Sequence, residues 1–437
     1  MMKINRNKYR IYWFCLIIFF FSGLHLLQSK YHFVKGGELK GDIRQPENPH
    51  FSFKNWFSGD FQKTKEEFLN TSFGFRYLYV RVNNQIAYSL FNVVKANGVI
   101  IGKDNYLFEE NYIKAFNGTD FIGKDSISHS MERLKFISDT LKKLNKNLIL
   151  VFAAGKGSFY SEYFPDRYKV RKGRTNFDYH ISYANAYGLN YIDFNKYFLA
   201  NKYKSKYPLF PRYGIHWSKY GMCLAADSVI RYIEQLRHIK IPHFYWDKIV
   251  IKKAFDTDYD IGAGMNLIFR LKRSDMAYPD GKVEKTSGKT KPSVLVIADS
   301  YYWGLFNYGI TDAFSNSQFW FYDKEVYPES FKKPLGVDLY LVKEQIDKSD
   351  VIIILATEAN LPGFGWGFIE DAYKILHGFI LPEQNEYQKK IRTIREQIKA
   401  SPGWMDQIAI KAKDKKISID SMITLDAIWV IDQEKKK

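Results

Sequence analysis

Cysteine is almost absent. The 437-residue chain holds two, Cys15 and Cys223. Cys15 lies in an N-terminal apolar run without a lipobox, so the rest of the chain has one thiol and no internal disulfide. This excludes a small disulfide-stapled scaffold and requires a core large enough to stand alone. With 46% hydrophobic and 26% charged residues, the composition can build one. Repeats and low-complexity tracts are missing as well. So is a phosphate-cradling loop: "DIGAGMN" (260–266) has no strand before it and no Gly-Lys-Ser/Thr ending. His238 and His243 are five apart with no further ligand types clustered near them, so neither a metal nor a resident cofactor is expected. The net charge of +18 comes with no nucleic-acid motif. Spread along the chain, it suits a solvated surface, an acidic glycan or an anionic bilayer, and nucleic acid is not an expected partner.

What the chain does have begins at its N-terminus. "MMKINRNKYR" carries Lys3, Arg6, Lys8 and Arg10 and no acid, and "IYWFCLIIFFFSGLHLL" is then uncharged from Ile11 to Leu27. That run is slightly short for a membrane span but within range. The bulky "LHLLQSKYHF" after it offers no small-x-small cleavage site, which favours an uncleaved signal anchor over a cleaved signal peptide. Cations before the span keep the N-terminus cytoplasmic, with the remainder outside the inner membrane, periplasmic in a Gram-negative cell. The expected divisions are 1–29 for tail and anchor, 30–50 for a linker, 51–380 for the main domain and 381–437 for a helical extension.

Residues 51–94 have helical apolar spacing, and "GVIIGKDNYLFEENYI" (98–113) reads as a hairpin turning at Lys103-Asp104-Asn105. Amphipathic helices over 126–147, 177–188 and 219–236 then alternate with apolar runs. Those runs are "LILVFAA" (148–154), "NYIDF" (190–194), "SVLVIAD" (293–299), "QFWFY" (318–322) and "VIIILA" (351–356). Such alternation predicts an α/β fold whose mostly parallel sheet is covered on both faces. Residues 240–291 read as an insertion with mixed signals. The tail from Gln384 is helical and charged, an accessory cap.

Two places could carry chemistry. In "VLVIADSYYWGLF" (294–306) a buried strand ends and a helix begins, with Ser300 at the junction, where α/β enzymes expose nucleophiles. Backbone N–H groups at the start of that helix could hold an oxyanion; the plainer reading of Asp299-Ser300 is a helix cap. In "PLFPRYGIHWSKYG", Pro208, Pro211 and Gly214 precede a helix, placing His216 on a loop held by a rigid element, as a general base must be.

"GIHWSKYG" ahead of a strand-end "ADSYYWG" resembles the alginate O-acetyltransferase proteins of the AlgX/AlgJ kind, in the SGNH hydrolase superfamily. "WFSGDFQKTKEEFLNTSFGFRYLYVRVNNQIAY" (56–88), "GVIIGKDNYLF" (98–108) and "FAAGKGSFYSEYFP" (152–165) extend the resemblance to roughly residues 51–380. It implies an SGNH-hydrolase-like three-layer sandwich behind one transmembrane helix. It also implies Ser300 as acyl-accepting nucleophile, His216 as its base, Trp217 packing the histidine, and Lys156, Glu358 and Asn360 lining the same cleft. O-acetyl transfer to a cell-surface or secreted polysaccharide follows, with the acetyl group supplied through a membrane-bound O-acyltransferase partner. A polysaccharide acetylesterase and a non-catalytic, glycan-binding scaffold are the alternatives.

The chain departs from this pattern at one position. The family's aspartate two residues before the histidine is Gly214 here. An acid from elsewhere could substitute, among Asp193, Asp258, Asp260 and Glu358; a Ser–His dyad could use a backbone carbonyl instead; or the site is dead. Loss of the acid in a serine triad costs roughly 10⁴ in rate.

Overall fold

A computed structural model describes residues 6–41, 46–170, 172–285, 287–379 and 386–434. Lys3 and the expected start of the tail at Gln384 lie outside them. The chain forms two compact units, residues 1–101 with 259–272, and residues 102–258 with 273–437.

The first unit is helical. Its apolar N-terminal helix, Lys8–Tyr31, is 24 residues long and is long and apolar enough to cross a membrane. Residues 33–41 and 46–52 have no regular structure. Helices Phe53–Ser58, Asp60–Ser72 and Arg76–Phe91 follow, the first capped by Ser52 Oγ accepting from the Asn55 N–H. The 259–272 excursion is fastened within this unit by the Asn84 amide, which donates to the Met265 carbonyl at 2.8 Å. Lys40 N–H donates to Asn266 Oδ1 at 2.8 Å.

The second unit is built on a six-stranded sheet. Its strands are β1 (Asn147–Ala153), β2 (Asn190–Asp193), β3 (Val294–Ala298), β4 (Ser317–Phe321), β5 (Glu325–Tyr327) and β6 (Val351–Thr357). Their spatial order is β5-β4-β3-β6-β1-β2. All neighbours are parallel except β5, which returns antiparallel along β4. The mostly parallel sheet expected from the apolar runs is therefore present, with an antiparallel edge.

Burial explains why those runs are continuous. Alternate residues such as Leu148, Leu150, Leu295, Ile297, Ile352 and Ile354 face one core, shared with Ile127, Met131, Leu134 and Ile137 of helix Lys124–Lys143. Residues between them, Ile149, Val151, Val296 and Ile353, are equally buried. A strand buried on both faces has no polar position to alternate with.

Three helices, Glu386–Ala400, Pro402–Lys415 and Ile419–Glu434, form the tail. Ile391, Ile394, Ile398, Ile408 and Ile428 join the same core as the sheet. Arg395 fastens the first of them, reaching Glu344 at 2.6 Å and Asp420 at 3.1 Å. The Glu344 carboxyl is drawn down to about 2 because the attraction of Arg395 and Lys348 outweighs its burial.

Candidate active site

The candidate site lies at the carboxyl ends of β3, β4 and β6, the edge where open parallel sheets bind ligands. β3 ends at Ala298; Asp299, Ser300 and Tyr301 make a turn into the short helix Tyr302–Asn307.

Asp299 organises that turn. Fully buried, its Oδ1 accepts from the Tyr301 N–H at 3.0 Å. Its Oδ2 accepts from the Thr357 N–H at 2.8 Å, the Thr357 hydroxyl at 3.0 Å and the Asn360 amide at 2.8 Å. Four donors thus converge on one carboxylate and join the end of β3 to the end of β6. Burial pushes its affinity for a proton up, and the donors work against that shift. Asp299 is a clamp beneath Ser300 rather than a helix cap. The amide of Asn360 also donates to Thr357 Oγ1 at 3.2 Å.

Ser300 stands above this clamp, partly exposed, with its Oγ 3.0 Å from His216 Nε2. Residues 84 apart in the chain meet at hydrogen-bond distance. The histidine loop is fixed from several sides. The Lys156 ammonium, fully buried, donates to the carbonyls of Arg212 at 2.9 Å and Gly214 at 2.5 Å. Tyr301 hydroxyl donates to the Ile215 carbonyl at 2.6 Å, and its ring lies 4.8 Å from the His216 ring. Ser218 Oγ accepts from the Gly221 N–H at 2.9 Å, capping helix Lys219–Arg237. Trp217 is wholly buried, stacked on Phe198 at 5.9 Å with Phe194 at 5.6 Å, and so anchors the loop from below.

The supporting residues divide. Asn360 belongs to the clamp beneath Ser300 and Lys156 to the histidine's loop. Glu358 turns away, its carboxylate accepting from the Ser158 hydroxyl at 2.6 Å beside Gly155. Its burial raises it to about 7. Asp193 caps helix Phe194–Asn201 through the Lys196 N–H at 2.8 Å. His243, weighed above as half of a metal pair, instead meets Glu234 at 3.1 Å.

Gly214 has a geometric reason. A Cβ there would stand 2.2 Å from the Thr257 carbonyl oxygen and 2.9 Å from the carbonyl carbon of Asp258. The turn Asp256–Asp258 occupies the space an aspartate would need. Asp258 on that turn is completely buried, and Asp256 is held by Lys219 at 2.8 Å.

The helix-start N–H groups expected to hold an oxyanion are already engaged. Tyr301 N–H goes to Asp299 Oδ1, Tyr302 N–H to the Asp299 carbonyl at 3.2 Å and Trp303 N–H to the Ser300 carbonyl at 3.3 Å. Sequence reasoning also missed Tyr322, which was read as the last residue of a strand. β4 ends at Phe321, and Tyr322 begins the loop beside Ser300. Its place next to the strand that leads into Ser300, on the same sheet edge, was the available signal.

Residues 99–243 match the family described as SGNH hydrolase-like domain, acetyltransferase AlgX. The matched segment includes Lys156 and His216 and ends before Ser300. No curated protein matches the sequence. Among solved structures, AlgX of Pseudomonas aeruginosa is 15% identical, with 64% of this chain and 67% of that one covered and a TM-score of 0.44. The O-acetyltransferase domain of Pseudomonas putida AlgJ is 15% identical over 64% of this chain and 99% of that one, TM-score 0.40. Bacillus cereus PatB1 with a sulfonyl adduct is 12% identical over 62% and 98%, TM-score 0.42.

Proposed function

We propose, for a chain that is AlgX-like over residues 99–243, O-acetyl transfer to a polysaccharide through an acyl-enzyme on Ser300. The observation that carries the reading is the 3.0 Å approach of His216 Nε2 to Ser300 Oγ at the carboxyl edge of the sheet. Such a pair fits nucleophilic catalysis. Ser300 gives its proton to Nε2 as Oγ attacks the acetyl carbonyl. The leaving group takes that proton as the tetrahedral intermediate collapses to acetyl-serine. A sugar hydroxyl then gives its proton to the same nitrogen, attacks the ester and leaves acetylated.

The acid missing at position 214 is supplied, in this reading, by Asp258, on the segment lying against Gly214. No resident cofactor enters this scheme. The acetyl group comes from a donor, delivered by a multi-spanning O-acyltransferase in the same membrane. Helix Lys8–Tyr31 serves as the anchor that keeps the enzyme there, with Arg6, Lys8 and Arg10 on the cytoplasmic side and the rest exported.

The test is intact-mass analysis of the full chain in detergent after treatment with a serine-directed phosphonate or an acetyl ester. An adduct on wild type that vanishes in Ser300→Ala and His216→Ala is the expected result. No adduct on folded wild type overturns the reading in favour of a scaffold. Free acetate without transfer to an added glycan would convert it to an esterase.

A further inference from the structure

Resting on the acyl-enzyme reading, we infer that Tyr322 is a further catalytic residue, donating its phenolic hydrogen to the oxyanion that forms when Ser300 attacks. A tetrahedral intermediate needs preorganised donors where the carbonyl oxygen becomes negative. The usual sources around Ser300 are committed elsewhere. The three N–H groups after Ser300, those of Tyr301, Tyr302 and Trp303, bond within the turn. The Asn360 amide is turned toward Asp299 and Thr357.

Tyr322 fills the gap. Its N–H extends the parallel ladder to the Ala298 carbonyl at 2.9 Å, which sets it level with the end of the nucleophile's strand. From there its hydroxyl approaches both the Oγ and the backbone of Ser300, and the side chain of Asn360. The Tyr322 hydroxyl therefore stands beside the Ser300 Oγ. Burial, and then the charge of Asp299, raise the phenol above its usual value, so at neutral pH it keeps its hydrogen and remains a donor.

The backbone is held in an unfavourable shape to achieve this. Tyr322 and Asp323 are consecutive left-handed residues, φ 52° and 55°, and neither is glycine. Each such residue costs about 1–2 kcal/mol, and strain of this kind collects at functional sites. The Trp366 ring, 5.1 Å away and edge-on, braces the phenol. During the reaction the carbonyl π electrons move onto oxygen as the Oγ–C bond forms. Tyr322 shares its hydrogen with that oxygen and keeps it when the carbonyl is restored.

The test compares Tyr322→Phe with wild type and with Tyr327→Phe, whose exposed hydroxyl donates to Glu325 at 2.6 Å. Full-length protein in detergent is assayed with p-nitrophenyl acetate and with the phosphonate. Phenylalanine keeps the ring against Trp366, so the melting temperature should hold. The expected result is kcat lower by about 10²–10³ with KM little changed, and phosphonate labelling slowed alike. Tyr327→Phe should match wild type. Wild-type labelling with equal rates for Tyr322→Phe overturns the oxyanion role alone. Wild type that is never labelled overturns the acyl-enzyme reading and this role together.

Discussion

Gly214 lies against the Thr257 carbonyl so closely that a Cβ would come within 2.2 Å of that oxygen. Restoring the aspartate usual at this place should therefore not restore a triad. Gly214→Asp is expected to lose about 1–3 kcal/mol of stability through overpacking and to lower, not raise, esterase turnover. Thermal melting and p-nitrophenyl acetate kinetics check both. Higher activity in the variant would show that the Asp256–Asp258 turn yields easily.

The acid that serves the histidine can be tested by amide substitution. Asp258→Asn is expected to reduce kcat by about 10³–10⁴. Asp256→Asn, relieved of its bridge to Lys219, should stay close to wild type. Wild-type activity in both variants would leave the imidazole oriented by a main-chain carbonyl.

Lys156 holds the histidine loop through two carbonyls, those of Arg212 and Gly214. Lys156→Met keeps the stem and removes the donors. We expect a loss of about 1–3 kcal/mol, since buried acceptors are left short of a partner. A kcat reduction of tenfold or more should accompany it, because small displacements of a catalytic base are costly. Unchanged kcat beside lowered stability would confine Lys156 to folding.

Glu358 makes stability depend on pH. Its carboxyl, buried against Ser158, holds its proton up to about 7 instead of 4.5. Asp323 behaves alike, raised from 3.8 to about 7 by burial and by the charge of Asp371. The folded state then binds protons that the unfolded chain releases, so stability falls as pH rises through roughly 4.5–7. Glu358 contributes at most about 3 kcal/mol of that fall. Glu358→Gln should flatten the profile in denaturant titrations at pH 5 and 7.5. A parallel profile in the variant would assign the slope to Asp323 and other groups.

Legibility followed the range of the interactions. The strands at 148–154, 293–299 and 351–356 were readable because burial on both faces removes polar residues locally. Ser300 was readable because a strand-end serine before a helix is a local pattern, and His216 because prolines and glycine mark its loop. Tyr322 was not: its closeness to Ser300 comes from the pairing of β4 with β3, and a terminal tyrosine after "QFWF" continues the strand pattern. Glu358 was placed at the right strand end, but which way its side chain turns depends on Ser158, 200 residues away. The reading of 240–291 as an insertion missed two antiparallel ladders, Phe244–Tyr245 with Lys282–Val283 and Ile249–Lys253 with Asp275–Pro279. It also missed the detour between them. Only partner residues far upstream in the same unit, such as Asn84, reveal where 259–272 belongs.

That detour bears on how the protein can be cut. The helical unit draws on residues 1–101 and, far downstream, on 259–272. A protein started at residue 102 would carry Met265 and its neighbours without the helix whose Asn84 receives them. Neither unit corresponds to an uninterrupted stretch of coding sequence, so separating them needs a deletion of 259–272 as well, with a short bridge from Asp258 to Arg273.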